Sequence, residues 1–276
     1  MIGAALRLSL SDSWNVYGTS KRKSSELNPQ ILKLDLSPNE VEGFHIPEVD
    51  WVIYCASVSG FVQCRQDPER SEFVNAIAPT LLAAAAEKRG SRFLYLSSNS
   101  VFDCETGEMK AGREYSPRGI YGRHKSDGEV GVLSRKDSAV LRLSKVIGQS
   151  WPLIDGWATQ LCGGLGVDAF DDYRSSPVLL EDVVRGVEVL IENGKAGVFQ
   201  MSSIGDLSYY EVALLVAKHL SVSSNLVTGV SAASMGVGPD EVMHFASMDV
   251  GRAQSELGFR ARRVEAVIDD ICRRRI

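Results

Sequence analysis

A doubly wound α/β architecture, a mainly parallel sheet with a small C-terminal lobe, is the fold class this sequence predicts. Three observations point there. Short apolar runs alternate with helix-period stretches through the first half of the chain, the pattern of strand–helix–strand crossovers. Several runs are apolar throughout, as parallel strands covered on both faces must be. The 276 residues, 44% hydrophobic and 24% charged, can bury one substantial core of ordinary soluble composition.

Taken in order, 14–19, 31–36, 51–56, 93–97 and 139–143 read as strands, each a short apolar run. Between them, 68–88 and 118–134 read as helices. The first contains Leu81-Leu-Ala-Ala-Ala-Ala86, a stretch of high helix propensity. After about residue 148 the texture changes. Gly163-Gly-Leu-Gly166 and Tyr173-Arg-Ser-Ser-Pro177 are loop-like. Helices are expected at 181–192, 208–219, 250–257 and 264–274, with one further strand at 198–201. Residues 1–148 should therefore carry the sheet, and 149–276 mainly the smaller lobe, with some segments returning to the sheet.

A net charge of -5 argues against a nucleic-acid partner, which would want a basic face. The ending Arg273-Arg-Arg275 suits the last turn of a helix, where cations oppose the dipole. No apolar run approaches a membrane span and the N-terminus lacks signal-peptide architecture, so the expected setting is cytoplasmic, away from membranes. The five cysteines (55, 64, 104, 162 and 272) are odd in number and scattered without a CxxC pair. They suggest free thiols, not disulfides or zinc. The four histidines stand at no metal-ligand spacing, so no metal is expected.

Gly119-Ile-Tyr-Gly-Arg-His-Lys-Ser126 carries the most chemistry. Four residues apart on a helix, Tyr121 and Lys125 leave the same face. An ammonium beside a phenol favours the phenolate, which would lower the Tyr pKa toward working pH and make it a proton donor or acceptor for a carbonyl or alcohol. The same spacing in Tyr17-Gly-Thr-Ser-Lys21 is a decoy, because it falls on a strand ending at Gly, where positions four apart are not neighbours. Tyr121, by contrast, follows Arg92-Phe-Leu-Tyr-Leu-Ser-Ser-Asn-Ser-Val-Phe-Asp103, an apolar strand running into hydroxyls. His124 points off the Tyr121–Lys125 face and is read as having no part in catalysis.

Ser97-Ser98-Asn99, then Val101-Phe102-Asp103, then Tyr121-Gly-Arg-His-Lys125 together resemble the extended short-chain dehydrogenase/reductases. Within them the sequence is most similar to dTDP-4-dehydrorhamnose reductases and related sugar-nucleotide reductases. Asn75, Arg142, Ser176-Pro177 ahead of Asp182, and Ser208-Tyr-Tyr-Glu-Val-Ala213 extend the likeness over nearly the whole chain. The resemblance implies a Rossmann-like NAD(P)-binding domain over 1–148 and a substrate-binding lobe over 149–276. It implies Tyr121 as acid/base, Lys125 as its partner and holder of the nicotinamide ribose, and Ser98 as hydrogen-bond donor to the substrate carbonyl. A hydroxyl and a phenol aimed at one oxygen would stabilise the charge that develops as hydride arrives. Two positions depart from the family: its Asp after the catalytic hydroxyl is Asn99 here, and its next Tyr is Ser100. An amide cannot act as an acid and a serine offers no aromatic wall, so the natural substrate need not be a dTDP-4-keto-sugar.

For the cofactor, Ser20, Lys21 and Arg22 follow the 14–19 strand, where NAD-preferring folds place an acid against the ribose hydroxyl. Basic residues there favour NADP(H) over NAD(H). Asp35 and Leu36, and Cys55, Ala56 and Ser57, match positions flanking the adenine and the cofactor ribose. Ile2 and Gly3 look like the end of a phosphate-binding turn and the start of its helix, which leaves the first strand and two earlier glycines of that motif missing. The expectation is a start assigned too far downstream, or else a short form impaired in stability and cofactor binding. The strands 14–19 and 51–56 would then lack the neighbour between them. The function expected is an NADP-dependent reductase of a keto group on a nucleotide-linked sugar or other small carbonyl, with a homodimer left open. The alternatives are an epimerase or dehydratase of the same superfamily, or a non-catalytic NADP-binding regulatory protein.

Overall fold

The computed structural model describes residues 1–21 and 30–275. In chain order the first half runs α1 (Ile2–Leu10), β1 (Gly18–Ser20), β2 (Ile31–Lys33), α2 (Pro38–Glu42), β3 (Trp51–Tyr54) and α3 (Phe61–Gln66). Then come α4 (Pro68–Glu72), α5 (Ala78–Lys88), β4 (Arg92–Ser98), α6 (Ile120–Leu133) and β5 (Ala139–Leu143). The second half begins β6 (Val146–Ile147), α7 (Pro152–Cys162), β7 (Val167–Phe170), β8 (Arg174–Ser175), β9 (Val178–Leu179) and α8 (Leu180–Glu192). It ends β10 (Gly197–Met201), β11 (Leu207–Ser208), α9 (Tyr209–His219), β12 (Val227–Val230), α10 (Gly251–Leu257) and α11 (Val264–Arg275). Two compact units result. The first holds Met1–Val101, Gly119–Arg142 and Val184–Phe199; the second holds Phe102–Arg118, Leu143–Val183 and Gln200–Ile276.

In the first unit a four-stranded sheet has the order β10-β5-β4-β3, with β3 and β4 parallel and Trp51 opposite Arg92. β5 is buried at every residue and β4 at all but its first, which is why both read as unbroken apolar runs. β1 and β2 form a separate parallel pair, Gly18 opposite Ile31. Among the described residues this pair shares no ladder with the four-stranded sheet. Leu34, Val41, Tyr54, Leu82, Phe93, Tyr95 and Val140 belong to the core of this unit.

The expected helix over 68–88 is helical throughout, but Phe73–Ile77 is a π-helical turn between α4 and α5. Asp67 caps its start, accepting from Arg70 N at 3.0 Å, and Pro68 occupies the first turn. The π turn has a local cause. Pro79 has no N–H to give the carbonyl four residues back, so Asn75 O is released from the ladder and the Tyr95 hydroxyl bonds it instead. α6 packs closely on this turn through Gly128 and Gly131. A Cβ there would lie 2.3 Å from Asn75 O or 2.0 Å from Thr80 Oγ1, so only glycine allows the approach.

In the second unit β7 and β12 are parallel, β6 and β9 are parallel, and β8 and β11 are antiparallel. Trp151, Ile154, Trp157, Val212, Val216 and Ile268 fill its core. α9 opens with a capping box in which Ser208 accepts from Glu211 N at 3.1 Å and Glu211 answers to Ser208 N at 2.7 Å. α7, β7 and β12 are additions to the sequence reading. Gly156 lies within α7 and lowers its helix propensity, and the apolar stripe of Ile154, Trp157 and Leu161 is buried in the core. No described helix is long and apolar enough to cross a membrane.

Candidate active site

All the residues brought together here belong to the first unit. α6 starts at an extended Gly119, which sets Tyr121 in its first turn and Lys125 one turn later on the same face. Ser98 ends β4 and is buried. Ser57 follows β3. Ser57 and Ser98 lie beside the Tyr121 phenol, and their hydroxyls favour its ionised form. Phe61, on α3, meets the Tyr121 ring edge-on at 6.0 Å between centroids. Ser98 Oγ also reaches Asn99 Oδ1 at 3.2 Å and Ser100 Oγ at 3.1 Å, and accepts from Ser100 N at 3.2 Å. The two positions that depart from the family thus hold the Ser98 hydroxyl in place.

The electrostatics correct one expectation. Burial pushes the Tyr121 phenol above its ordinary value, and the hydrogen bonds from Ser57 and Ser98 oppose that; Lys125 is not among the influences on it. The reason is where the ammonium goes. Lys125 Nζ donates to Leu96 O at 2.6 Å and stands 4.0 Å from the centre of the Tyr95 ring. Burial brings Lys125 down to about 7, against the pull of Glu129 and then Cys55. Tyr121 is therefore a protonated phenol at neutral pH, poised as a donor.

Behind the pair, the π turn aims Asn75 at the end of β3. Its Oδ1 accepts from Ser57 Oγ at 2.9 Å and Val58 N at 3.2 Å, while Nδ2 donates to Val58 O at 2.9 Å and Ser71 Oγ at 3.2 Å. Deeper still, Glu129 takes both Nε and Nη2 of Arg142, the latter at 2.7 Å, with neither side chain more than 2% exposed.

The expected cofactor residues fall into local groups. Ile2 and Gly3 open α1, whose start has no side-chain cap, and Gly3 packs on Cys55, whose Cβ a Gly3 Cβ would approach to 3.3 Å. The uncapped N–H groups suit a pyrophosphate. Burial raises the Cys55 thiol to about 12, so it is neutral and puts no competing anion there. Ser20 O accepts from Leu34 N at 2.9 Å, and Lys21 Nζ lies 3.3 Å from Asp35 Oδ2. Arg70 Nη2 lies 3.5 Å from Asp35 Oδ1, and the same guanidinium bonds Leu36 O. Ala56 stands between Cys55 and Ser57 at the end of β3. Arg22 lies outside the described residues. Uncapped α1, Gly3 and the exposed Lys21 are the features that fit a dinucleotide phosphate.

A Rossmann-like oxidoreductase of the NAD(P)-dependent type is the class this fold and site define. The chain belongs to the RmlD substrate binding domain family, whose model matches residues 1–275. It is 28% identical over 253 residues to the probable low-salt glycan biosynthesis reductase Agl14 of Haloferax volcanii, covering 88% of this chain and 84% of the relative. It is 29% identical over 193 residues to dTDP-4-dehydrorhamnose reductase of Mycobacterium tuberculosis, covering 67% and 64%. A further relative, methionine adenosyltransferase 2 subunit beta of Xenopus laevis, is 25% identical over 83% of this chain and 71% of its own. Among solved structures, a hypothetical dTDP-4-dehydrorhamnose reductase from Sulfolobus tokodaii shares the fold with a TM-score of 0.80, 24% identity and coverage of 96% and 94%. The fold recurs in a Bacillus anthracis dTDP-4-dehydrorhamnose reductase in complex with NADP (TM-score 0.73, 20% identity, coverage 89% and 91%). It recurs too in MoeE5 in complex with UDP-glucose and NAD (TM-score 0.78, 22% identity, coverage 99% and 94%).

Three side chains at this site carry contacts that the sequence did not reveal. Ser57, read only as flanking a cofactor ribose, also touches Tyr121; Phe61 walls the phenol; and His124 bonds Ser71 Oγ through Nδ1 at 3.0 Å. Spacing along the chain holds no signal for contacts between residues brought together from different elements.

Proposed function

We propose that this chain is an NADP-dependent reductase of a keto group on a nucleotide-linked sugar. The observation that carries the reading is the phenol of Tyr121 set between the Ser57 and Ser98 hydroxyls. When bound, NADPH supplies the hydride that reduces the carbonyl carbon. Tyr121 gives its proton to the carbonyl oxygen, Ser98 hydrogen-bonds that oxygen, and Lys125 holds the nicotinamide ribose. The products are the alcohol and NADP+, so charge and protons balance. Solvent returns a proton to Tyr121 between turnovers. Names among the relatives and the fold's captured ligands support a nucleotide-sugar substrate. Asn99 and Ser100 leave the sugar open to other nucleotides than dTDP. The test is NADPH oxidation by the purified protein with dTDP- and UDP-linked keto-sugars. Turnover with at least one is expected, and tight NADPH binding without turnover on any would overturn the reading. That outcome would favour a non-catalytic dinucleotide-binding subunit, for which the likeness to methionine adenosyltransferase 2 subunit beta is the supporting observation.

Cofactor preference rests on the basic turn at Ser20, Lys21 and Arg22. Replacing Lys21 and Arg22 by neutral residues should weaken NADPH binding by about tenfold or more, because only NADPH carries the 2′-phosphate, with little change for NADH. Fluorescence titration with both cofactors checks this, and equal losses would show that the turn does not read the phosphate.

A further inference from the structure

Tyr95, on β4, is fully buried and takes no part in the proton transfer. Lys125 Nζ stands 4.0 Å from the centre of its ring and donates to the carbonyl of the next residue, Leu96, at 2.6 Å. Two successive residues of β4 thus supply both contacts to the ammonium, a ring face and a carbonyl. The ring is itself placed by other elements. Its hydroxyl donates to Asn75 O, the carbonyl released by the π turn. Gly128, one turn beyond Lys125 on α6, leaves room for that bond. A Cβ there would lie 2.3 Å from Asn75 O and 2.8 Å from the Tyr95 hydroxyl oxygen. Tyr54 borders the ring at 6.0 Å between centroids.

We infer that Tyr95 is a positioning residue for the reduction: its ring face fixes the Lys125 ammonium for the nicotinamide ribose and favours the charged form of that group over the amine. The face of an aromatic ring is negative and attracts a cation most strongly where water is excluded, and Lys125 is only 1% exposed. Burial keeps the Tyr95 phenol un-ionised, so the ring acts through its face and not through a charge. The titratable groups facing Lys125 are Tyr121 and Glu129 on its own helix, Cys55 just after β3, and Tyr95. Cys55 is a neutral thiol, and Arg142 engages the Glu129 carboxylate through Nε and Nη2. The π turn and the short helical turn Asn99–Val101, both packed on α6, carry no titratable side chain. Among the described residues no charge on α3, α4 or α5 bears on Lys125. Against the burial that brings it down to about 7, the Tyr95 face and Leu96 O support its charge by direct contact. Without the face the amine wins at a lower pH, so a step that needs charged Lys125 is lost earlier as pH rises.

This rests on the reductase reading, and the test separates the two. The pH profile of kcat/KM for NADPH is measured for the wild type, Tyr95→Phe, Tyr95→Leu and Tyr95→Met, with the melting temperature of each. In Tyr95→Leu and Tyr95→Met the alkaline limb set by Lys125 should move down by about one pH unit, an about tenfold loss on that limb, the span of one desolvated cation–π contact. Tyr95→Met fills more of the ring's volume and gives the same readout where Tyr95→Leu fails to fold. Tyr95→Phe keeps the face but leaves Asn75 O without its donor, so it should melt below the wild type with its limb in place. A merely structural role would lower every melting temperature and move no limb. A limb that stays or rises without the ring, or one displaced as far in Tyr95→Phe, would overturn the inference. If the wild type turns over no keto-sugar, the reductase reading fails, and carbon-13 NMR of Lys125 Cε decides the role of Tyr95 alone. An ionisation lower in Tyr95→Leu or Tyr95→Met than in the wild type and Tyr95→Phe supports it, and one common ionisation overturns it.

Discussion

Tyr121→Phe is expected to lower kcat for carbonyl reduction by about 10²–10⁴-fold, the span that a lost general acid covers. NADPH binding should stay within a few-fold of wild type, since the ring and its edge contact with Phe61 remain. The pH dependence has a definite sign. Because burial raises the phenol above its ordinary value, the donor form is present at neutral pH, and any loss of reduction through Tyr121 is moved to higher pH than a free phenol would give. Lys125 behaves differently: held at about 7, it loses its charge as pH rises through neutrality. Steady-state rates from pH 6 to pH 10 with the best keto-sugar separate the two groups. A Tyr121→Phe enzyme within tenfold of wild type would remove Tyr121 from the chemistry.

The second large effect is on stability. Glu129→Gln takes from the buried Arg142 guanidinium the carboxylate that accepts from its Nε and Nη2, at a cost of about 3–5 kcal/mol. For a chain of this size that is a fall of roughly 10 °C in melting temperature. Lys125 would also lose the carboxylate that most supports its charge, so its ionisation should drop further. Replacing both partners with apolar residues, Glu129→Leu with Arg142→Met, should recover most of the stability, because nothing charged is then left behind. Thermal melts followed by circular dichroism check both variants. A single substitution that costs under about 1 kcal/mol would mean that water or another anion reaches Arg142.

Much of the fold was legible because its signals are local. β4 and β5 are unbroken apolar runs in the sequence and fully covered strands in the structure. α6 carries the Tyr121–Lys125 pair on one face, as its spacing required. The capping box at Ser208 and Glu211 marks the start of α9 within a residue. α7 was hidden by its glycine and by a stripe that becomes meaningful only inside a core. Pro79 lies inside the 68–88 stretch that reads as one plain helix. Its consequence, a carbonyl taken over by Tyr95 beside a glycine-thin α6, depends on three elements meeting.

The sequence by itself determined the class of this protein: a parallel α/β scaffold, a hydroxyl at a strand end, and a tyrosine and lysine one turn apart on the next helix. Periodicity and short motifs specify these because each is settled within one element. The tertiary structure alone decided what the groups do to one another. It turned the Lys125 ammonium to Leu96 O and the Tyr95 ring, raised the Tyr121 phenol by burial, and ran a polar chain from Ser57 to His124. Burial and hydrogen-bond direction depend on which atoms surround a group, and those atoms come from elements far apart along the chain.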